Sequence, residues 1–147
     1  MVANQITIGS DHAGYHLKEE LKTRLTEVSP EYTLHDVGCH SDGSVDYPDY
    51  AHEVGRRISS GEQSMGILIC GSGNGVCMCA NKHDGVRAAL CWDKEIAELA
   101  RLHNDANVIC IPARFVSSEV AFAMVETFLK TTFEGGRHER RKDKIDI

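Results

Sequence analysis

The chain has 147 residues, 16 of them Lys or Arg and 22 Asp or Glu, for a formal net charge of −6. Hydrophobic residues make up 41% and charged residues 26%, a globular rather than a disordered composition. That balance excludes a general nucleic-acid binder, which needs accumulated basic charge, and no apolar run reaches the ~18 residues of a membrane span.

Met-Val-Ala-Asn-Gln opens the chain without the basic-then-apolar pattern of a secretory signal. With 6 cysteines in a chain long enough to bury a core unaided, the thiols are expected to be reduced and the location cytoplasmic. A first strand is predicted at Gln5-Ile6-Thr7-Ile8-Gly9, followed by a helix with Leu17, Leu21, Leu25 and Val28 at helical spacing. Lys and Glu fill the positions between them. Thr33–Val37 reads as a second strand, then a Gly/Asp/Ser-rich loop runs to Tyr47. Pro48 suits the first turn of a helix ending near Ser60-Gly61.

Met65–Cys70 is almost continuously apolar, as a parallel strand covered on both faces should be. Gly71-Ser72-Gly73-Asn74-Gly75 breaks it, with a short helix at most over Val76–Lys82. Val86–Cys91 is the fourth strand. Asp93 can cap a helix with Ile96, Leu99, Ala100 and His103 on one face. Asn107–Pro112 is the fifth strand, and Ser117 or Ser118 caps a helix carrying Ala121, Val125, Phe128 and Leu129. Gly135-Gly136 precedes a charged tail. Strands alternating with helices predict one domain over residues 1–147: a three-layer α/β/α sandwich on a five-stranded, mainly parallel, Rossmann-like sheet, with 134–147 as a basic tail.

Ligands of open parallel sheets bind beyond the carboxyl ends of the strands. There the chain places Asp11-His12, Cys70 with its glycine loop, Trp92-Asp93 and Ala113-Arg114. Alternate glycines let Gly71–Gly75 turn backbone N–H groups toward an anion. The same spacing also serves a plain strand-to-helix turn. A Walker loop fails, because Gly75-Val76-Cys77 stands where Gly-Lys-Ser/Thr is needed. The dinucleotide fingerprint fails at Val76, although Asp93 mimics its acidic residue. A thiol at Cys70 would face N–H dipoles that favour its ionised form, whereas Cys39, Cys91 and Cys110 read as small core residues. Cys77, Cys79 and His83 resemble a metal set without a fourth ligand at zinc spacing. His103 lies on an apolar helix face and reads as buried, while His16, His35, His40, His52 and His83 read as surface or loop residues without visible partners. In the tail, Arg137 and Arg141 fall i, i+4 and would suit phosphate if helical.

Ser10-Asp11-His12-Ala13-Gly14, Asp46-Tyr47-Pro48, Cys70–Gly75, Ala80-Asn81-Lys82, His103–Asn107 and Glu134–Arg141 together resemble the ribose-5-phosphate isomerase B family. That family belongs to a wider group with the lactose-pathway galactose-6-phosphate isomerases. The resemblance implies a metal-free and cofactor-free aldose–ketose isomerase of the non-oxidative pentose phosphate branch. It would interconvert ribose 5-phosphate and ribulose 5-phosphate. In that case Cys70 moves the proton, and the loop Gly71, Ser72, Gly73, Asn74 and Gly75 holds the enediolate with help from the Ser72 hydroxyl. His103 opens the furanose ring. Asp11, His12, Tyr47 and Asn104 contact substrate, while Arg114, Arg137 and Arg141 cradle phosphate. The resemblance also implies a homodimer with shared sites, and a tetramer stays open. Some members place a glutamate base just after the loop; here that position is Val76. Alternatives are a six-carbon phosphosugar isomerase, a non-catalytic sugar-phosphate sensor, or a zinc module on Cys77, Cys79 and His83.

Overall fold

A computed structural model describes residues 4–147. The strands are β1 (Gln5–Ser10), β2 (Thr33–Gly38), β3 (Met65–Cys70), β4 (Ala88–Leu90) and β5 (Val108–Pro112). Between and after them run α1 (Tyr15–Val28), α2 (Tyr47–Ser59), α3 (Asn74–Ala80), α4 (Lys94–Asn104), α5 (Ser118–Lys130) and α6 (Arg137–Asp143). All strand pairings are parallel, in the order β2-β1-β3-β5-β4. The chain leaves β1 toward β2 and returns on the other side at β3. The reversal between β1 and β3 opens a crevice beyond their carboxyl ends.

Alternation along β3 explains its unbroken apolar run. Ile67 and Ile69 enter the core shared with α1, α4 and α5, while Leu68 and Cys70 enter the one shared with α2 and α3. Ile67, Leu68 and Ile69 are wholly buried, each worth about 1.5–3 kcal/mol relative to exposure. The caps follow the expected chemistry. Asp93 accepts from the Ile96 N–H at 2.9 Å and Ser117 from the Val120 N–H at 3.2 Å.

Three local expectations change. β4 covers only Ala88–Leu90, because the Val86 N–H closes a turn onto His83 and the Arg87 N–H goes to the Asn107 side chain. Lys18, one of the polar residues between the leucines of α1, is fully buried; its ammonium reaches Asp36 at 2.6 Å and Glu19 at 3.1 Å. The basic tail is helical over Arg137–Asp143 and packs against α4.

Candidate active site

A cleft of about 380 Å³ lies at the β1/β3 reversal, lined by Asp11, His12, Ala13, Tyr47, Cys70, Gly71, Ser72, Gly75 and Arg114. Each wall has a local cause. Asp11 caps the turn after β1 by accepting from the Gly14 N–H at 3.1 Å. His12 on that turn accepts from the Val45 N–H through Nδ1 at 3.1 Å. A backbone donor at Nδ1 puts the proton of the neutral ring on Nε2, so His12 presents a donor there.

Cys70 ends β3 at 5% exposure, and its sulfur accepts from the Gly73 N–H at 3.2 Å. That bond exists because Gly73 sits at φ 76°, turning its amide back toward the strand end. Cys70 therefore stands at a boundary, lining the cleft while packing on the edge of the core it shares with α2 and α3. Not every loop amide faces outward: the Asn74 N–H goes to Ser72 Oγ at 3.3 Å. Arg114 follows β5, and its backbone N–H donates to the Gly71 carbonyl at 3.1 Å. Its guanidinium lies against Gly71, where an added Cβ would fall 3.0 Å from Nη1. The Tyr47 ring likewise occupies the space beside Gly75.

Asp11, His12, Tyr47, Cys70, Gly71, Ser72, Gly75 and Arg114 are thus brought together as expected, with Gly73 and Asn74 in the loop behind them. His103, Asn104, Arg137 and Arg141 do not line this cleft. His103 is not buried, since 40% of its side chain is exposed at the end of α4. α6 folds back there, and the His138 ring stacks on His103 with centroids 4.2 Å apart. Nothing in a charged tail signals that contact. Lys142 pairs with Glu139 and Asp143, which leaves Arg137 and Arg141 exposed and without ion pairs among the described residues.

Cys77, Cys79 and His83 do not converge. Cys77 Sγ approaches the Ala88 carbonyl at 3.4 Å, while His83 Nε2 meets His52 Nδ1 at 2.8 Å. His16 and His35 also have partners, Asp42 and Gln5 respectively. Ligand atoms of His103, Glu134 and His138 lie within 4.8 Å of one another. The two rings are nearly parallel, at 12°, so their nitrogen lone pairs run side by side and do not meet at one ion. Cys39, Cys91 and Cys110 are core residues, at most 2% exposed. Burial pushes the Cys91 thiol up to about 12, with the charges of Cys77 and Asp93 adding to it.

Residues 6–145 match the family model described as Ribose/Galactose Isomerase. Ribose-5-phosphate isomerase B of Escherichia coli strain K12 is 41% identical over 96% of this chain and 93% of its own. The crystal structure of a ribose 5-phosphate isomerase from Thermotoga maritima superposes with a TM-score of 0.92 at 49% identity, covering 97% of each chain. Ribose-5-phosphate isomerase B from Mycoplasma genitalium, solved with bound ribulose-5-phosphate, has a TM-score of 0.91 at 45% identity, covering 96% of this chain and 93% of that one. With the match spanning nearly the whole length and the cleft at the sheet reversal, the chain belongs to the ribose/galactose isomerase family.

Proposed function

We propose that this chain interconverts ribose 5-phosphate and ribulose 5-phosphate, with Cys70 as the base. The observation that carries the reading is the Gly73 N–H aimed at the Cys70 sulfur on the wall of a cleft shared with Arg114. The relative from Mycoplasma genitalium with ribulose-5-phosphate bound supports the five-carbon substrate.

In the open-chain aldose the ionised sulfur takes the proton from C2. The C2–H electrons form the C1–C2 double bond, and the carbonyl electrons move onto O1. N–H donors at that oxygen, helped by the Ser72 hydroxyl, lower the barrier by about 3–4 kcal/mol per donor. The O2 proton passes to O1, and the sulfur returns its proton to C1, leaving a ketone at C2. Arg114 meets the phosphate dianion, whose binding energy holds the reacting carbons in place. Asp11, His12 and Tyr47 contact the sugar.

His103, Asn104, Arg137 and Arg141 act in this reading on the cleft of a second copy, so that two chains share two sites. Their absence from the cleft of their own chain supports that arrangement. So do the exposed Phe115 and Trp92 on loops and Tyr47 at the start of α2, all at the same end of the sheet, which a partner would cover. His103 opens the furanose ring, and the two arginines complete the phosphate cradle. Among the described residues no helix is long and apolar enough to cross a membrane, and all 6 cysteines are free, which supports a reducing, cytoplasmic setting.

The test is turnover across five- and six-carbon aldose phosphates, with Cys70→Ala beside the unsubstituted chain. Ribose 5-phosphate gives the highest kcat/KM, and Cys70→Ala lowers kcat by about 10²–10⁴-fold while phosphate binding persists. Retained turnover in Cys70→Ala removes the cysteine from this role, and a six-carbon preference overturns the substrate.

A further inference from the structure

The His103 ring does not stand alone at the end of α4. The Glu134 N–H donates to the Leu102 carbonyl at 3.1 Å, pinning the start of the last segment beside that helix end. Gly135 and Gly136, at φ 72° and 58°, then turn the chain into α6. The turn lays His138 flat on His103, with centroids 4.2 Å apart and planes 12° from parallel. Glu134 Oε2 stands 3.7 Å from His103 Nε2 and 3.9 Å from His138 Nε2. One carboxylate oxygen therefore faces the same edge of both rings.

We infer that Glu134 and His138 are positioning residues for His103, fixing the orientation and the tautomer with which it opens the sugar ring. The inference rests on the role proposed for His103 above. His138 is 7% exposed, so the stack has one fixed face against which the half-exposed His103 ring is held flat. Burial and the neighbouring His103 hold His138 below the usual imidazole range, with Arg137 and Arg141 adding to this and Glu134 opposing it. That direction opposes a second positive charge in the stack.

Glu134 biases the tautomer. Its ionised carboxylate, 3.7 Å from Nε2, can only accept, which favours hydrogen on the His103 Nε2 edge. Nδ1 keeps the lone pair and is the atom that exchanges a proton with substrate. On ring opening, Nδ1 takes the proton of the anomeric hydroxyl, C1=O1 forms, and the C1–O4 bond breaks. O4 then takes the proton back from the imidazolium, so none is gained or lost overall.

The ketose separates this step from the isomerisation. The C5 oxygen of ribulose 5-phosphate is esterified, so this sugar cannot close a furanose ring and needs no opening. Glu134→Gln and His138→Ala are compared with His103→Asn and the unsubstituted chain in two assays. One is conversion of cyclic ribose 5-phosphate; the other is solvent deuterium entry at C1 of ribulose 5-phosphate. Both substitutions lower the conversion about tenfold or more while deuterium entry stays within about twofold, the split also given by His103→Asn. His138→Phe, which keeps a flat ring, recovers part of the loss. A parallel fall in both assays would mean that the pair merely supports the fold, and no fall in either removes them from the reaction; each result overturns the inference. Lack of both activities in the unsubstituted chain overturns the isomerase reading itself, and this inference with it.

Discussion

The Gly73 amide points back at the Cys70 sulfur three residues earlier, 3.2 Å away, and only a left-handed residue makes that possible. A side chain at 73 has no room, since a Cβ would lie 2.5 Å from Leu90 Cδ1 and 3.2 Å from the Ile111 carbonyl carbon. Gly73→Ala is expected to cost about 2 kcal/mol of stability from backbone strain and crowding together. It should also lower kcat more than it raises KM, because the donor to sulfur moves. Urea denaturation with steady-state kinetics checks both, and an unchanged kcat would show that the amide does not matter to catalysis.

The proposed sharing of sites between two chains makes a prediction about mixtures. Cys70→Ala and His103→Asn are each strongly impaired on ribose 5-phosphate alone. A mixed dimer has one site with both substitutions and one with neither. Refolding or co-expressing the two in equal amounts restores about a quarter of the unsubstituted activity. No recovery would place His103 and Cys70 in the same chain's site, or leave His103 out of it.

The buried Lys18 sets an acid limit on stability. Burial pushes the Asp36 carboxyl up, but hydrogen bonds from the Lys18 and Lys22 ammonium groups and from the Gly38 N–H outweigh it and hold it below the usual range. A carboxyl depressed in the folded state stabilises the fold above its unfolded value of about 3.9, and that contribution is lost as pH falls through the folded value. The urea midpoint should therefore fall steeply only below about pH 4. Asp36→Asn should flatten that limb and cost about 3 kcal/mol at pH 7, since it leaves Lys18 buried with Glu19 alone. An acid limb of unchanged steepness in Asp36→Asn would refute the assignment.

The cysteines should separate by reagent. Cys91, pushed up to about 12, and Cys110, raised by burial and its thiol neighbours, should resist iodoacetamide at pH 8 in the native chain. Cys70 should be labelled, and saturating ribose 5-phosphate should protect it. Peptide mass spectrometry reads both; labelling of Cys70 that is indifferent to the sugar would detach the cleft from the substrate.

Much of this arrangement was legible from residue order. The apolar run Met65–Cys70 marked the central strand, and the residues just past β1, β3 and β5 do form the cleft. What escaped depends on contacts between distant segments. Lys18 looks like a surface residue because nothing near it reveals that Asp36, on β2, will meet it. His103 looks buried because its neighbours on the helix face are apolar, yet it lies at the helix end where α6 folds back. His138 and Glu134 were hidden in a tail whose charge resembled a solvated terminus. The pair His52–His83 leaves one trace, Gly55, whose missing side chain makes room for the His83 ring.

A β-carbon built at position 75 would come within 2.9 Å of three carbons of the Tyr47 ring. The two positions are therefore linked: an aromatic at one presupposes a hydrogen at the other. Enlarging residue 75 alone evicts the ring, and trimming the ring alone leaves a hollow at the mouth of the pocket. Anyone reshaping this enzyme for a longer sugar must alter both together, although 28 places in the polypeptide separate them.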